Sequence, residues 1–199
     1  EIECENRSSI VTILALHGGG IEPATTELAY TIAHCGDYNY FSFKGMRSKG
    51  NNELHVTSTH YDDQIALDLV RGSQRTVAIH GCEGNESVAY IGGSDDRLIE
   101  LITESLEDIG ISVREAPHHI SGTQENNIVN MTQTQGGVQL ELTAQLRKEL
   151  FKNRKSSRKN RENKDNWDDL MYDFADAMKK AIELSLIHIS EPTRQEAIS

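Results

Sequence analysis

Long apolar runs, cysteine and positive charge are all scarce in this chain of 199 residues. No window approaches the ~18 consecutive apolar residues of a membrane-spanning helix, so we expect no membrane segment. The three cysteines, Cys4, Cys35 and Cys82, are odd in number and widely spaced, which argues against a disulfide framework or a CxxC zinc site and favours a reducing compartment. The first residues are acidic and no apolar stretch follows them, so we see no signal peptide and predict cytoplasmic synthesis.

The net charge of −11 argues against a nucleic-acid-binding face spread over the chain. One segment has the opposite sign: residues 152–164 hold seven Lys or Arg and a single Glu. An interaction arm and a solvated loop between two helices both fit this pattern, and we favour the loop.

The length fits one domain with a sizeable core. Short apolar runs alternate with longer amphipathic stretches, which predicts βαβ units, an α/β fold and a largely parallel sheet. The predicted strands are 10–16, 38–43, 53–57, 75–79, 88–91, 111–115 and 138–142. The predicted helices are 25–33, 62–70, 95–108, 143–152 and 167–183.

The end of the chain needs separate treatment. The stretch LSLIHISEPTR, from Leu184 to Arg194, looks like a translated sequencing-library adapter. We therefore predict a single catalytic domain over residues 1–183 and a non-native tail over residues 184–199. On this interpretation His188 is disregarded as a metal ligand.

Two predicted strands end in a histidine followed by glycine: LALHGGG, with His17, and VAIHGC, with His80. The carboxyl ends of parallel strands share one edge of a sheet, so these imidazoles can lie close together. Glu22 follows His17 across a glycine-rich turn that can fold back beside it. Two His and one Glu are the ligand set of a zinc hydrolase with water in the fourth position. A purely structural role for the histidines stays open.

Glu141 is the candidate general base. In the strand VQLEL, alternation places Gln139 and Glu141 on one face of the sheet. A carboxylate at this position lowers the stability of the fold unless it is paired, exposed at an edge or functional. An edge-strand Glu facing water remains the alternative. His55, which we place within a strand, and the pair His118–His119 are further candidates for the site. No GxSxG elbow or nucleotide-binding glycine loop is present.

Four stretches carry a family resemblance: HGGGIEPATTELA, LHVTSTHYDD, VAIHGCEGNESVAYIGGSD and NNIVNMTQTQGGVQLELTAQLR. In this order they resemble the phage-type poly-γ-glutamate hydrolases, small zinc enzymes with a carboxypeptidase-like fold. The resemblance implies a mixed, mainly parallel sheet with helices on both faces, Zn²⁺ bound by His17, Glu22 and His80, and Glu141 as general base. It also implies an anionic γ-glutamyl polymer or peptide as substrate and release of the enzyme on lysis. We expect a monomer.

The chain departs from the family pattern at two positions. Ala24 stands where the family has glycine, which we expect to be a minor change, and Met131 stands where an arginine follows Asn130. Loss of such an electrostatic stabiliser can lower a rate by ~10²–10³. Asn130 is then a candidate for holding the oxyanion, and the arginines that could substitute are Arg47, Arg75, Arg97 and Arg147.

An anionic substrate needs a basic patch near the cleft of an acidic protein. Lys44, Arg47 and Lys49 are our first choice for that patch, and solvated loop charge is the alternative. Two other functions stay open from the sequence. One is a carboxypeptidase or amidase acting on small or cell-wall γ-glutamyl peptides, and the other is a non-catalytic polymer-binding relative.

Overall fold

A mixed sheet of seven strands organises the chain, and the computed structural model describes residues 1–187. The strands are β1 (Ile2–Glu5), β2 (Val11–Gly19), β3 (Asn39–Gly45), β4 (Arg75–Cys82), β5 (Val88–Gly93), β6 (Ser112–Glu115) and β7 (Val138–Thr143). They lie in the order β1-β3-β2-β4-β7-β5-β6. Only β1–β3 and β5–β7 pair in antiparallel fashion, so the predicted mixed, mainly parallel sheet is confirmed.

Helices cover both faces of the sheet. They are α1 (Thr25–Gly36), α2 (Gln64–Arg71), α3 (Asp96–Asp108), α4 (Ala144–Glu149), the short α5 (Arg158–Arg161) and α6 (Asp169–Ile187). Helices α1 and α3 pack against α6 over the larger hydrophobic cluster, and α2 contributes to a smaller cluster with Leu14 and Phe41. Because both faces of the central strands are covered, β2 is buried at every position, as expected of an inner parallel strand.

The prediction of a strand over residues 53–57 is wrong. Residues Asn51–Leu54 form a 3₁₀ turn, and an extended, largely exposed loop follows it. The physical reason is that β3 has no free edge, since β2 pairs with one side and β1 with the other. Strand β1 was not predicted from the sequence.

The basic segment is more ordered than the solvated loop we favoured. It contains a 3₁₀ turn at Lys152–Arg154 and the helical turn α5, and its Arg161 is buried. The segment therefore packs on the domain instead of extending from it.

Helix α6 continues to Ile187, and Ser185 is buried. The predicted boundary at residue 183 and the foreign origin of the tail stay predictions, and His188 lies outside the described residues. Within residues 1–187, no helix is long and apolar enough to cross a membrane.

Candidate metal centre

The carboxyl ends of three adjacent strands position the candidate site. His17 lies near the end of β2, His80 near the end of β4, and Glu141 in β7 directly opposite His80 in the strand register. After β2 the chain turns back, and the Glu22 amide donates a hydrogen bond to the His17 carbonyl at 2.8 Å. This turn returns the Glu22 side chain to the edge where the strands end.

The structure brings the three predicted ligands together. His17 Nδ1 lies 3.0 Å from Glu22 Oε1 and 3.0 Å from His80 Nδ1. His80 Nδ1 lies 3.6 Å from Glu22 Oε2. The amide of Gly81 donates a hydrogen bond of 2.8 Å to the same Oε2, which fixes the orientation of the carboxylate.

A second contact shows which ring nitrogen of His17 faces an ion. Its Nε2 lies 2.8 Å from the Val56 carbonyl, and a carbonyl can only accept, so Nε2 carries a proton and Nδ1 is the ring nitrogen left for an ion. Metal-ligating histidines commonly donate their other ring N–H to a carbonyl in this way.

The donor set fits zinc. Two ring nitrogens bound at ~2.0–2.1 Å to one tetrahedral ion would lie roughly 3.3 Å apart, close to the 3.0 Å between the Nδ1 atoms of His17 and His80. Imidazole nitrogens are borderline-soft donors and a carboxylate oxygen is a hard donor, and Zn²⁺ binds both kinds in one site. Both histidine rings are buried, so packing restricts their rotation before any ion binds.

His55 was a further candidate for the site to which no sequence pattern assigned a role. Its ring stacks on His17 at 3.7 Å between centroids, and its Nε2 lies 3.4 Å from Glu22 Oε1. His17, Glu22 and His55 also offer ligand atoms within 4.8 Å of one another. Unlike His80, His55 is about half exposed and comes from a loop, which places it at the mouth of the site.

Burial and the cluster's own charges shift the titration of its members. Burial lowers the pKa of His17, although its hydrogen bond with Glu22 opposes the shift. Burial would raise the pKa of Glu22, but hydrogen bonds with His17, His55 and His80 hold that pKa well below its usual range. Glu22 is therefore a carboxylate, the form that binds metal.

Glu141 lines the same cleft, which has a volume of about 360 Å³. Gln139 donates a 3.0 Å hydrogen bond to Glu141 Oε1, and Asn127 donates to Gln139 at 3.1 Å. The predicted alternation holds, since Val138, Leu140 and Leu142 belong to the larger hydrophobic cluster on the opposite face. Burial raises the pKa of Glu141, the charge of His80 opposes the rise, and the charge of Glu22 adds to it, as suits a general base.

Arg147, on α4, donates hydrogen bonds to the backbone of the three segments that carry Glu22, His80 and Glu141. It donates to Leu142 O at 3.1 Å, to Pro23 O at 2.9 Å and to Cys82 O at 3.0 Å. Each acceptor lies within two residues of a site residue. The guanidinium also packs against Gly81, where a Cβ would come within 2.7 Å of Arg147 Cζ. Only glycine leaves room for this contact.

The family model described as poly-gamma-glutamate hydrolase matches residues 1–177. The chain belongs to the poly-γ-glutamate hydrolase family. The structure of a bacteriophage poly-gamma-glutamate hydrolase superposes with a TM-score of 0.89 at 31% identity, covering 96% of this chain and 90% of that one. A structure of YndL in its apo, zinc-free form gives a TM-score of 0.86 at 30% identity, covering 93% of this chain and 90% of that one.

The full-length sequences of two Bacillus relatives are longer than this chain. The SPbeta prophage-derived protein YoqZ of Bacillus subtilis (strain 168) is 39% identical over 143 residues, or 71% of this chain and 52% of YoqZ. The chain spans between half and three-fifths of the length of YoqZ and of YndL from the same organism.

The two departures from the family pattern have different structural settings. Ala24, in place of the family glycine, has φ = 85° at the residue that precedes α1, a left-handed conformation that is unfavourable for alanine. The change is therefore less minor than expected. Met131, in place of the family arginine, is half-buried against the smaller hydrophobic cluster.

The structure does not bring Asn130 or Arg75 to the cleft. Asn130 is buried and donates to Gly122 O at 2.7 Å and Gln124 O at 2.9 Å, so it shapes the loop beside the cleft. Arg75 lies at the amino end of β4, the opposite end from His80. Its Nε lies 3.2 Å from Ser185 Oγ and 3.4 Å from Asp95 Oδ2.

Other predicted substrate-binding cations also lie outside this cleft. Lys44 and Arg47 line a neighbouring groove. Lys44 Nζ contacts Glu3 at 2.6 Å, and Arg47 contacts Glu53 at 2.7 Å. Arg97 contacts Glu100 at 2.6 Å. Among the described residues, neither Lys nor Arg lines the cleft that contains Glu141.

Proposed function

We propose that the protein is a zinc-dependent hydrolase that cleaves γ-glutamyl amide bonds of poly-γ-glutamate. In this proposal His17, Glu22 and His80 hold the ion and Glu141 is the general base. The observation that carries it is the convergence of His17 Nδ1, His80 Nδ1 and the Glu22 carboxylate within 3.0–3.6 Å, in a cleft that Glu141 also lines. All these residues come from one chain, so a monomer suffices.

The chain's own groups account for the proton transfers. When bound, Zn²⁺ supplies a Lewis acid that polarises the carbonyl and acidifies a water molecule. Glu141 accepts the proton of the attacking water and then delivers it to the leaving amide nitrogen. The hydrogen bond from Gln139 keeps the Glu141 carboxylate oriented during both transfers. Gly81 holds Glu22 in place through its backbone amide.

The composition of the cleft favours cleavage inside the polymer over removal of terminal residues. A carboxypeptidase-type cut requires a cation that recognises the terminal carboxylate. Among the described residues, the cleft offers amides, hydroxyls, imidazoles and one thiol besides its two glutamates, and neither Lys nor Arg lines it. We therefore propose that internal bonds of the polymer are the substrate, and that small γ-glutamyl peptides are poor substrates.

The experiment is to follow the viscosity and chain-length distribution of a poly-γ-glutamate solution with the wild-type protein and with Glu141→Gln. The wild type is expected to lower viscosity quickly while releasing little monomer. Glu141→Gln is expected to retain zinc but to lose at least about 10²-fold in rate, the size of a general-base contribution. Glu100→Gln, at an exposed position on α3, is the matched control. Near-full activity of Glu141→Gln would show that the base assignment is wrong.

A further inference from the structure

A second groove lies on the other side of the turn that carries Glu22. It has a volume of about 420 Å³, and Gly19, Gly20 and Pro23 form part of its wall. Glu22 itself faces the catalytic cleft, so one short turn separates the two depressions. We call this depression the basic groove, because four cationic side chains line it: Lys44, Arg47, Arg158 and Arg161.

The basic groove is built from two distant parts of the sequence. Lys44 and Arg47 come from the end of β3 and the loop after it, whereas Arg158 and Arg161 belong to α5 in the basic segment. Arg158 donates to the Met46 carbonyl at 3.2 Å, which joins the two parts. The folding of the basic segment thus concentrates positive charge at one place on a protein with a net charge of −11.

The four cations differ in their availability, and Lys44 is already paired with Glu1 and Glu3. Arg161 is buried, contacts Glu27 at 3.2 Å and donates to the Gly19 carbonyl at 3.1 Å, so it is committed to the fold. Arg47 and Arg158 are 49% and 53% exposed, and their partners are the exposed Glu53 and Glu162. Exposed ion pairs of this kind are weak, so an incoming carboxylate can replace either glutamate.

The two depressions have complementary chemistry. The catalytic cleft carries the reacting groups, but none of its described lining residues is a Lys or Arg. The basic groove carries four cations against two glutamates, Glu27 and Glu162, but lacks the histidine cluster. A polymer with one carboxylate per unit needs both, because the acidic surface elsewhere repels it.

We propose that the basic groove binds a segment of anionic γ-glutamyl polymer while the adjoining segment of the same chain occupies the catalytic cleft. The inference rests on the proposed function for its choice of polyanion. It has a consequence of its own, which is that long chains bind more tightly than chains that fill only the cleft. Exposed Arg47 and Arg158 provide the contacts.

The test is a binding measurement in the zinc-loaded Glu141→Gln protein, which separates affinity from turnover. Calorimetry would compare long poly-γ-glutamate with γ-glutamyl trimer, before and after Arg47→Glu/Arg158→Glu. We expect Kd for the long polymer to rise at least about tenfold, because each lost charge contact in water changes affinity about fivefold before screening. Kd for the trimer is expected to change much less, and the salt dependence of polymer binding should weaken.

The matched control is Lys179→Glu/Lys180→Glu on α6. It makes the same change in net charge at exposed, ion-paired lysines that line neither depression. Arg47→Gln/Arg158→Gln repeats the test without charge reversal, should the first variant misfold. An equal loss of polymer affinity in the control variant would show that overall charge causes the effect, and would overturn the proposal. Unchanged polymer affinity in Arg47→Glu/Arg158→Glu would also overturn it. Tight polymer binding without hydrolysis by the wild type would overturn the proposed function and leave the groove intact.

Discussion

Arg147 provides a test of how the site is held together. Its three hydrogen bonds reach the carbonyls of Pro23, Cys82 and Leu142, and the side chain is buried. Replacing it by methionine keeps an unbranched, though shorter, side chain and removes every donor. The carbonyls beside Glu22, His80 and Glu141 would then lose their common partner.

The magnitude follows from the contacts. Hydrogen bonds to a charged donor contribute roughly 1.5–3 kcal/mol each, so three amount to about 4.5–9 kcal/mol. Burial lowers the pKa of Arg147, which shows that holding the charge there opposes part of this gain. We therefore expect a net loss of about 3 kcal/mol in the free energy of unfolding, since three backbone carbonyls lose a donor at a cost of about 1–3 kcal/mol each before that offset. For a protein of this size that corresponds to a fall in Tm of roughly 6–12 °C.

Zinc affinity distinguishes positioning of the ligands from general stabilisation. Well below Tm, Arg147→Met is expected to raise the Kd for zinc about 10–100-fold, the usual effect of losing support behind metal ligands. Arg147→Lys should recover part of this loss, because an ammonium can reach some of the same carbonyls. Thermal unfolding in chelator and competition with a chromophoric chelator measure the two effects separately.

The control is Arg114→Met, at an exposed arginine that contacts Glu86, where the expected change is within about 0.5 kcal/mol. If Arg147→Met kept zinc affinity within twofold while losing stability, Arg147 would support the fold but not the ligands. If neither quantity changed, the reasoning about the three carbonyls would be wrong.

Three further substitutions address individual residues in and near the site. His80→Ala is expected to abolish stoichiometric zinc binding, whereas His55→Ala should weaken zinc binding about tenfold or less, since His55 is exposed on a loop. Equilibrium dialysis measures both affinities. A larger loss of zinc affinity in His55→Ala than in His80→Ala would make His55 the third ligand. Ala24→Gly should stabilise the protein by about 1 kcal/mol, or roughly 2–4 °C in Tm, because φ is 85° at this position. A lower Tm would show that the buried Ala24 methyl group outweighs the backbone strain.

Much of the sheet could be predicted because its central strands are buried on both faces. The apolar runs ending at His17 and His80 predict buried inner strands, and the shared edge of parallel strands then allows the two histidines to lie close together. The alternation in VQLEL likewise predicts that Glu141 faces away from the hydrophobic cluster that holds Leu140.

The remainder depends on contacts between distant segments. His55 lies in a loop whose position is set by the Val56 carbonyl against His17, a contact that no local pattern reveals. The stretch ELHVT resembles a strand, but β1 already occupies the free edge of β3. The alternation of Ile2 and Cys4 with Glu3 and Glu5 was the available signal for β1.

Arg75 was proposed as a substrate-binding residue although its own strand argued against it. Arg75 and His80 are five positions apart in β4, so the two side chains lie towards opposite ends of one strand. The role of Arg161 could not be foreseen, because its burial depends on Glu27 and Gly19, which lie far away in the sequence.

The most direct test of the central claim is a crystal structure of the zinc-loaded protein with anomalous data at the zinc absorption edge. The account predicts one ion at about 2.0–2.2 Å from His17 Nδ1, His80 Nδ1 and a Glu22 oxygen, with Glu141 close by but not coordinating. An ion bound elsewhere, or bound through His55 with His80 Nδ1 outside the coordination shell, would contradict it.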